Sequence, residues 1–197
     1  METRSIPLFP LKTVLFPGGP LPLRIFEPRY LDMVAYCVKN DSAFGVCLIN
    51  DGKEAGEVAF PHSVGTIARI IDWDKLPDGM LGIVALGGDR FRIESTEIGD
   101  NRLIHGKVTL LPEPDPESLP ADLEILPRVL EQIISEAGPL YEALQPNYSD
   151  TNWIGYRLAE ILPLDLPVRQ HLLEQDDSLA RLREIHSSIE IFMEKNA

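Results

Sequence analysis

Residues Phe16–Tyr30 read FPGGPLPLRIFEPRY. Four prolines and two glycines crowd among apolar residues, and charges follow at Arg24, Glu27 and Arg29. A Gly-rich run beside an arginine resembles a phosphate cradle, but Gly19 is followed by Pro20, which removes a backbone donor where an anion nest needs one. The stretch reads instead as a structural corner. Phe16-Pro17-Gly18-Gly19 turns the chain, Leu21–Phe26 forms a strand, and Pro28 suits the first turn of a helix.

Working outward, Ile6–Leu111 consists of short runs rich in Val, Ile and Phe separated by turn signals about every ten residues, the signature of a β domain. The expected strands are 5–8, 12–16, 21–26, 43–50, 64–74, 80–86, 90–97 and 102–111. Leu76-Pro77-Asp78-Gly79 makes a hairpin of 64–74 and 80–86. Gly87-Gly88-Asp89 and Gly99-Asp100-Asn101 end the next two strands. Within this half, Leu31, Val34, Ala35 and Val38 recur at helical spacing after Pro28, predicting one helix that stops near Asn40 and covers the sheet with that stripe.

After Leu111 the segment PEPDPESLPAD alternates prolines and acids, a composition that keeps backbone extended and discourages packing. It divides the chain into a β subdomain (1–112), a linker (113–122) and a helical subdomain (123–197). In the last, Leu126, Val129, Leu130, Ile133 and Ile134 form one stripe, ended by Gly138-Pro139. Ile154, Leu158, Ile161 and Leu162 form a second behind an Asp150 N-cap and stop at Pro163. A short helix spans 167–174, and the last, 178–194, places Leu179, Leu182, Ile185, Ile189 and Phe192 on one face. None is apolar all round, so a small bundle is expected. The fold class is α+β.

The 197 residues carry a formal net charge of −13. Up to Pro112 there are 14 acidic and 12 basic residues, while Glu113–Ala197 holds 17 and 6. Such a field repels polyanions, which disfavours nucleic acid as a partner. The acidity reads as a solvated helical surface. Cys37 and Cys47 sit in apolar stretches without metal or redox spacing and read as buried hydrophobes in a reducing compartment. The N-terminus lacks an uninterrupted apolar segment and no later run has membrane-spanning length, so a cytoplasmic location without membrane contact is expected.

Motifs for chemistry are sparse. GVCLINDGKE (Gly45–Glu54) has the wrong spacing for a P-loop and no Ser or Thr after Lys53. No GxSxG elbow appears, and the four histidines, His62, His105, His171 and His186, show no paired-ligand spacing. Asp72 and Asp74 share one face of a strand, as an acid/base pair would, but beside a hairpin turn they read as solubilising acids. No cofactor, metal or catalytic residue is expected.

Three blocks carry a family resemblance. IPLFPLKTVLFPGGPLPLRIFEPRYLDMV (Ile6–Val34) and VGTIARIIDWDKLPDGMLGIVALGGDRFRIES (Val64–Ser95) are the specific ones. WIGYRLAEILPLDLPVRQHLLEQDDSLARLREIHSSIE is the weaker third. Together they resemble a stand-alone N-terminal, substrate-recognition domain of the ATP-dependent Lon protease. The resemblance implies a PUA-like, partly closed β-barrel with a covering helix, followed by a helical bundle. Lon's ATPase P-loop and Ser-Lys protease dyad have no counterpart up to Ala197, so neither activity carries over.

The leading expectation is a non-catalytic module that binds polypeptide segments or a protein partner such as a protease, as an adaptor in protein quality control. Its site is expected in a groove between the curved sheet and the helices. Phe16, Phe26, Tyr30 and Phe91 are the candidate aromatic contacts, and Arg24 and Arg90 are the candidate groups for orienting a carbonyl or carboxylate. Two alternatives stay open. One is an enzyme of unrecognised type using a barrel pocket. The other is an RNA-binding PUA-like module, which needs a basic stripe from Arg69, Arg90, Arg92 and Lys107.

Overall fold

The strand Leu81–Ile98 organises the first half of the molecule. It is 18 residues long and pairs with three neighbours, so it can close a sheet that shorter strands would leave open. The computed structural model describes residues 3–52, 59–115, 117–142 and 144–196. The chain divides into two units, Met1–Pro112 and Glu113–Ala197. Lys53, at the end of the rejected phosphate-loop stretch, lies outside the described residues.

The first unit contains β1 (Thr3–Leu11), β2 (Pro20–Ile25), α1 (Pro28–Asn40), β3 (Phe44–Asp51), β4 (Phe60–Lys75), β5 (Leu81–Ile98) and β6 (Ile104–Leu110). The sheet order is β2-β5-β4-β3-β1-β6, and an additional β5–β6 pairing closes five strands into a ring. β2 lies outside that ring on the flank of β5. β1 and β3 run parallel, and the other pairs are antiparallel. This is an α+β architecture with a partly closed barrel.

The expected strand over 12–16 does not form. Val14, Leu15 and Phe16 are all buried, without the alternation of a strand. The Leu15 carbonyl accepts from the Thr66 hydroxyl. The Phe16 carbonyl accepts the Gly19 N–H at 3.0 Å, closing the turn, and Gly18 has φ +70°. Nor does Gly87-Gly88-Asp89 end a strand, since β5 runs through it. Gly87 is needed there for close approach: a Cβ would collide with the Phe16 carbonyl.

The prolines of β2 are explained by its register. Gly87 donates to the Gly19 carbonyl at 2.8 Å, and the pairing continues from Pro20↔Leu86 to Ile25↔Leu81. Alternation therefore bonds Leu21, Leu23 and Ile25 to β5 and turns the backbones of Pro20, Pro22 and Arg24 to the outer edge. The missing N–H groups cost no ladder bond there.

α1 forms where expected but is rotated by one residue from the expected stripe. Tyr30, Met33, Val34 and Cys37 are buried, whereas Leu31 and Val38 are exposed. The buried set packs with Phe9, Leu11, Ile25, Phe44 and Ile83 in the main core. Tyr30 stacks on Phe9 with ring centroids 3.9 Å apart. Asp41 ends the helix in the left-handed region, φ 47°.

The second unit contains a 3-10 turn (Ala121–Leu123), α2 (Ile125–Glu136), α3 (Pro139–Glu142), α4 (Thr151–Ile161), α5 (Leu166–Glu174) and α6 (Ser178–Asn196). Asp150 caps α4 by accepting from the Asn152 and Trp153 N–H groups at 2.9 and 3.3 Å. α4 is enclosed nearly all round, including Thr151, Asn152, Tyr156 and Arg157, so its polar residues are interior groups and not a solvated face. Phe192, expected on the packing face of α6, is exposed. The Pro/acid segment is held against α4 instead of remaining unpacked. The Tyr156 hydroxyl donates to Glu113 at 2.8 Å, the Asn152 amide donates to the Pro114 carbonyl at 2.9 Å, and the Glu117 N–H donates to Thr151 Oγ1 at 3.2 Å.

Candidate functional site

β2 is bordered by two grooves. Its odd-numbered side chains follow the core side. There Leu21 and Leu23, only partly covered, continue into Phe26 and Tyr30 and line a groove of about 450 Å³ with Phe9 and Leu11. The walls are apolar. Arg24 and Glu27 supply charge at the rim, and Glu27 is paired with Arg29 at 2.9 Å. Arg29 also lies over the Tyr30 ring, 4.7 Å from its centroid, and donates to the Arg102 carbonyl at 3.2 Å. These contacts fix the mouth of α1. A concave apolar surface with a few anchored polar groups suits an extended apolar segment.

The expected site residues divide sharply. Arg24 and Phe26 are exposed, Phe26 to 60%, and Arg24 forms an ion pair with Asp78 in the hairpin turn. Tyr30 contributes to the groove mainly from beneath, being 5% exposed. Phe16, Arg90 and Phe91 are 0% exposed, which corrects their placement on a binding surface. The Phe91 ring fills the space above two glycines: a Cβ on Gly45 or Gly65 would approach it to 2.7 or 2.8 Å. Arg90 directs its guanidinium inward, 3.5 Å from the Pro112 carbonyl. Its burial also interrupts the basic stripe from Arg69 to Lys107 that an RNA surface would need.

Sequence reasoning overlooked the other side of β2. Trp73 and Ile71 on β4 are 60% and 57% exposed, and Trp73 lines a second groove of about 600 Å³ with Pro22, Asp72 and Asp74. The signal was available in IIDWD, where large apolar residues alternate with acids on a hairpin arm that the short strands around it leave unsupported.

Ionisable groups with displaced titration lie elsewhere. In the second unit, Arg157 pairs with Glu160 at 2.8 Å, and the Tyr141 hydroxyl donates to Glu160 at 3.0 Å. Burial pushes the Glu160 carboxyl up and the Arg157 guanidinium down, and their mutual attraction opposes both shifts. Burial also raises the Cys37 and Cys47 thiols, which makes them poorer nucleophiles. Among the described residues, no group of three or more His, Cys, Asp or Glu side chains is arranged to hold a metal ion. No helix there is long and apolar enough to cross a membrane.

A five-strand ring with an added edge strand, a helix on its core and an apolar groove defines a small-barrel module of the mixed α+β class. The chain belongs to the family of the ATP-dependent protease La (LON) substrate-binding domain, whose model matches residues 5–190. It is 27% identical over 190 residues to a Lon protease of Cytophaga hutchinsonii, covering 89% of this chain and 23% of that protein. It is 32% identical over 124 residues to a Lon protease of Parabacteroides distasonis, covering 62% and 15%. The chain thus spans less than a quarter of either relative. Among solved structures, it is similar to a Lon N-terminal domain protein from Xanthomonas campestris (38% identity, TM-score 0.77, 93% and 98% coverage). The N-terminal domain of a Mycobacterium avium complex Lon protease, at 18% identity and TM-score 0.65 with 92% and 96% coverage, shares the fold.

Proposed function

We infer that this chain is a non-catalytic recognition module that binds extended polypeptide segments along β2 and serves protein quality control as an adaptor, with a protease as its natural partner. The observation that carries the reading is the open apolar groove in which exposed Phe26 stands beside Leu21 and Leu23 above the Phe9–Tyr30 stack. Membership of a substrate-binding family supports it. So does the character of the groove: its walls offer contact area to apolar side chains.

The test is binding of a permanently unfolded polypeptide, reduced and carboxymethylated lactalbumin, followed by fluorescence anisotropy. Phe26→Ser and Leu23→Ser should each weaken binding by about tenfold, the loss of one apolar anchor. Absence of binding by the folded wild-type protein would overturn the reading. Undiminished binding by both variants would remove this groove as the site.

A further inference from the structure

The outer face of β2, β5 and β4 carries the second groove, which the first reading leaves unused. Register sets its side chains in cross-strand rows. Pro22, Val84 and Asp72 stand abreast, and Arg24, Gly82 and Asp74 form the next row. Alternation places them opposite the core-facing Leu23 and Ile83. Leu76 leans over Gly82, where a Cβ would come within 2.9 Å of its Cδ2. The resulting groove of about 600 Å³ has an apolar floor.

Its charge is one-sided. Arg24 is answered by Asp78. Asp72 and Asp74 each give Oδ1 to the next backbone N–H, of Trp73 at 2.9 Å and of Lys75 at 2.7 Å. Neither has an ion-pair partner among the described residues. Those two bonds hold the carboxylates in place and leave Oδ2 available as an acceptor. Trp73, between them in sequence and paired with Ile83, turns its side chain to the opposite face. Arg69, further back on β4, lines a different hollow with Cys37, Val38 and Asp41.

We propose that this groove accepts a basic side chain, arginine or lysine, carried on an extended segment with apolar neighbours. The proposal rests on the polypeptide-binding reading and adds a residue class to it. The cation sits against Asp72 and Asp74, and its aliphatic stem lies along Pro22, Val84 and Leu76. An acidic segment meets two fixed carboxylates and is excluded.

The experiment uses the full chain and three labelled nonapeptides of Leu, Val and Gly that differ only at the centre: arginine, its neutral isostere citrulline, or glutamate. Anisotropy should show the arginine peptide binding about tenfold more tightly than the citrulline peptide, the scale of a cation held by two carboxylates. The glutamate peptide should be the weakest, and high salt should shrink the preference. D72N/D74N keeps the backbone-bonded oxygens and should bind arginine and citrulline peptides alike. Phe26→Ser should weaken both by the same factor and leave the preference intact. Equal affinity of arginine and citrulline peptides for the wild type overturns this inference alone, and so does a preference that survives in D72N/D74N. Failure of the folded wild type to bind any of the peptides overturns it together with the polypeptide-binding reading.

Discussion

The carbonyl oxygen of Phe16 occupies the space that a side chain on Gly87 would need. Two segments about seventy positions apart meet there backbone to backbone, and the Gly18 N–H donates to the Gly87 carbonyl at 2.8 Å. Gly87→Ala should therefore cost about 3 kcal/mol, because the obstacle is main chain and cannot swing aside. Its neighbour is the control. A Cβ on Gly88 meets nothing nearer than the Ile67 carbonyl at 3.6 Å, so Gly88→Ala should cost less than about 1 kcal/mol. Urea unfolding of both variants gives the comparison.

This contact also shows where sequence reading stops. The glycine pair was legible as an interruption, but a turn and a close approach demand the same residue, and only the position of Phe16 decides between them. Local signals with one physical meaning were read correctly: the Leu76–Gly79 hairpin, the Asp150 cap and Pro28 at the start of α1. The phase of α1 was not. Leu31, Val34, Ala35 and Val38 and the observed Tyr30, Met33, Val34 and Cys37 are both helical stripes, offset by one residue. Of the candidate site, Arg24 and Phe26 lie on a surface, while Phe16, Arg90 and Phe91 are interior. Burial of an arginine depends on distant parts of the chain and leaves no local trace.

Phe16 and Phe26, ten residues apart, should respond oppositely to substitution. Phe16→Ala should lose about 3–5 kcal/mol of stability, as expected for a fully enclosed aromatic. Phe26→Ser should change stability by less than about 0.5 kcal/mol while weakening polypeptide binding. Thermal melts read beside anisotropy separate the two effects.

Arg181 is the centre of the second unit's polar interior. It donates to the Leu172 carbonyl at 3.0 Å, the Asn152 amide oxygen at 3.3 Å, the Tyr156 hydroxyl at 3.2 Å and the Gln175 carbonyl, and it lies 4.1 Å from the Tyr156 ring centroid. Arg181→Met preserves bulk but leaves those acceptors without their donor, at an expected cost of about 3 kcal/mol or more. Arg181→Lys should recover only part of this, since one ammonium cannot span the same set. Denaturant midpoints test the order of the three proteins.

Cys47 is fully enclosed and its thiol is raised by burial. Native protein at mildly alkaline pH should react with a thiol reagent far more slowly than unfolded protein. The sign for stability follows from the same shift. The unfolded state releases the thiol proton first, so this contribution is complete below the ordinary thiol pKa of 9.0 and declines as pH rises above it. Cys47→Ala should flatten that decline in unfolding curves taken between neutral and strongly alkaline pH.

The prolines of β2 have a consequence for the protein's own fate. On the proposed reading, a module that binds exposed chain segments is itself at risk of being joined by another copy, edge to edge, into an aggregate. Along the outer edge, Pro20 and Pro22 provide carbonyls but no N–H, and Arg24 adds the one remaining donor in this row. A second β2 aligned against it would find acceptor opposite acceptor. The prolines thus leave the edge of the strand exposed while denying it a partner of its own kind.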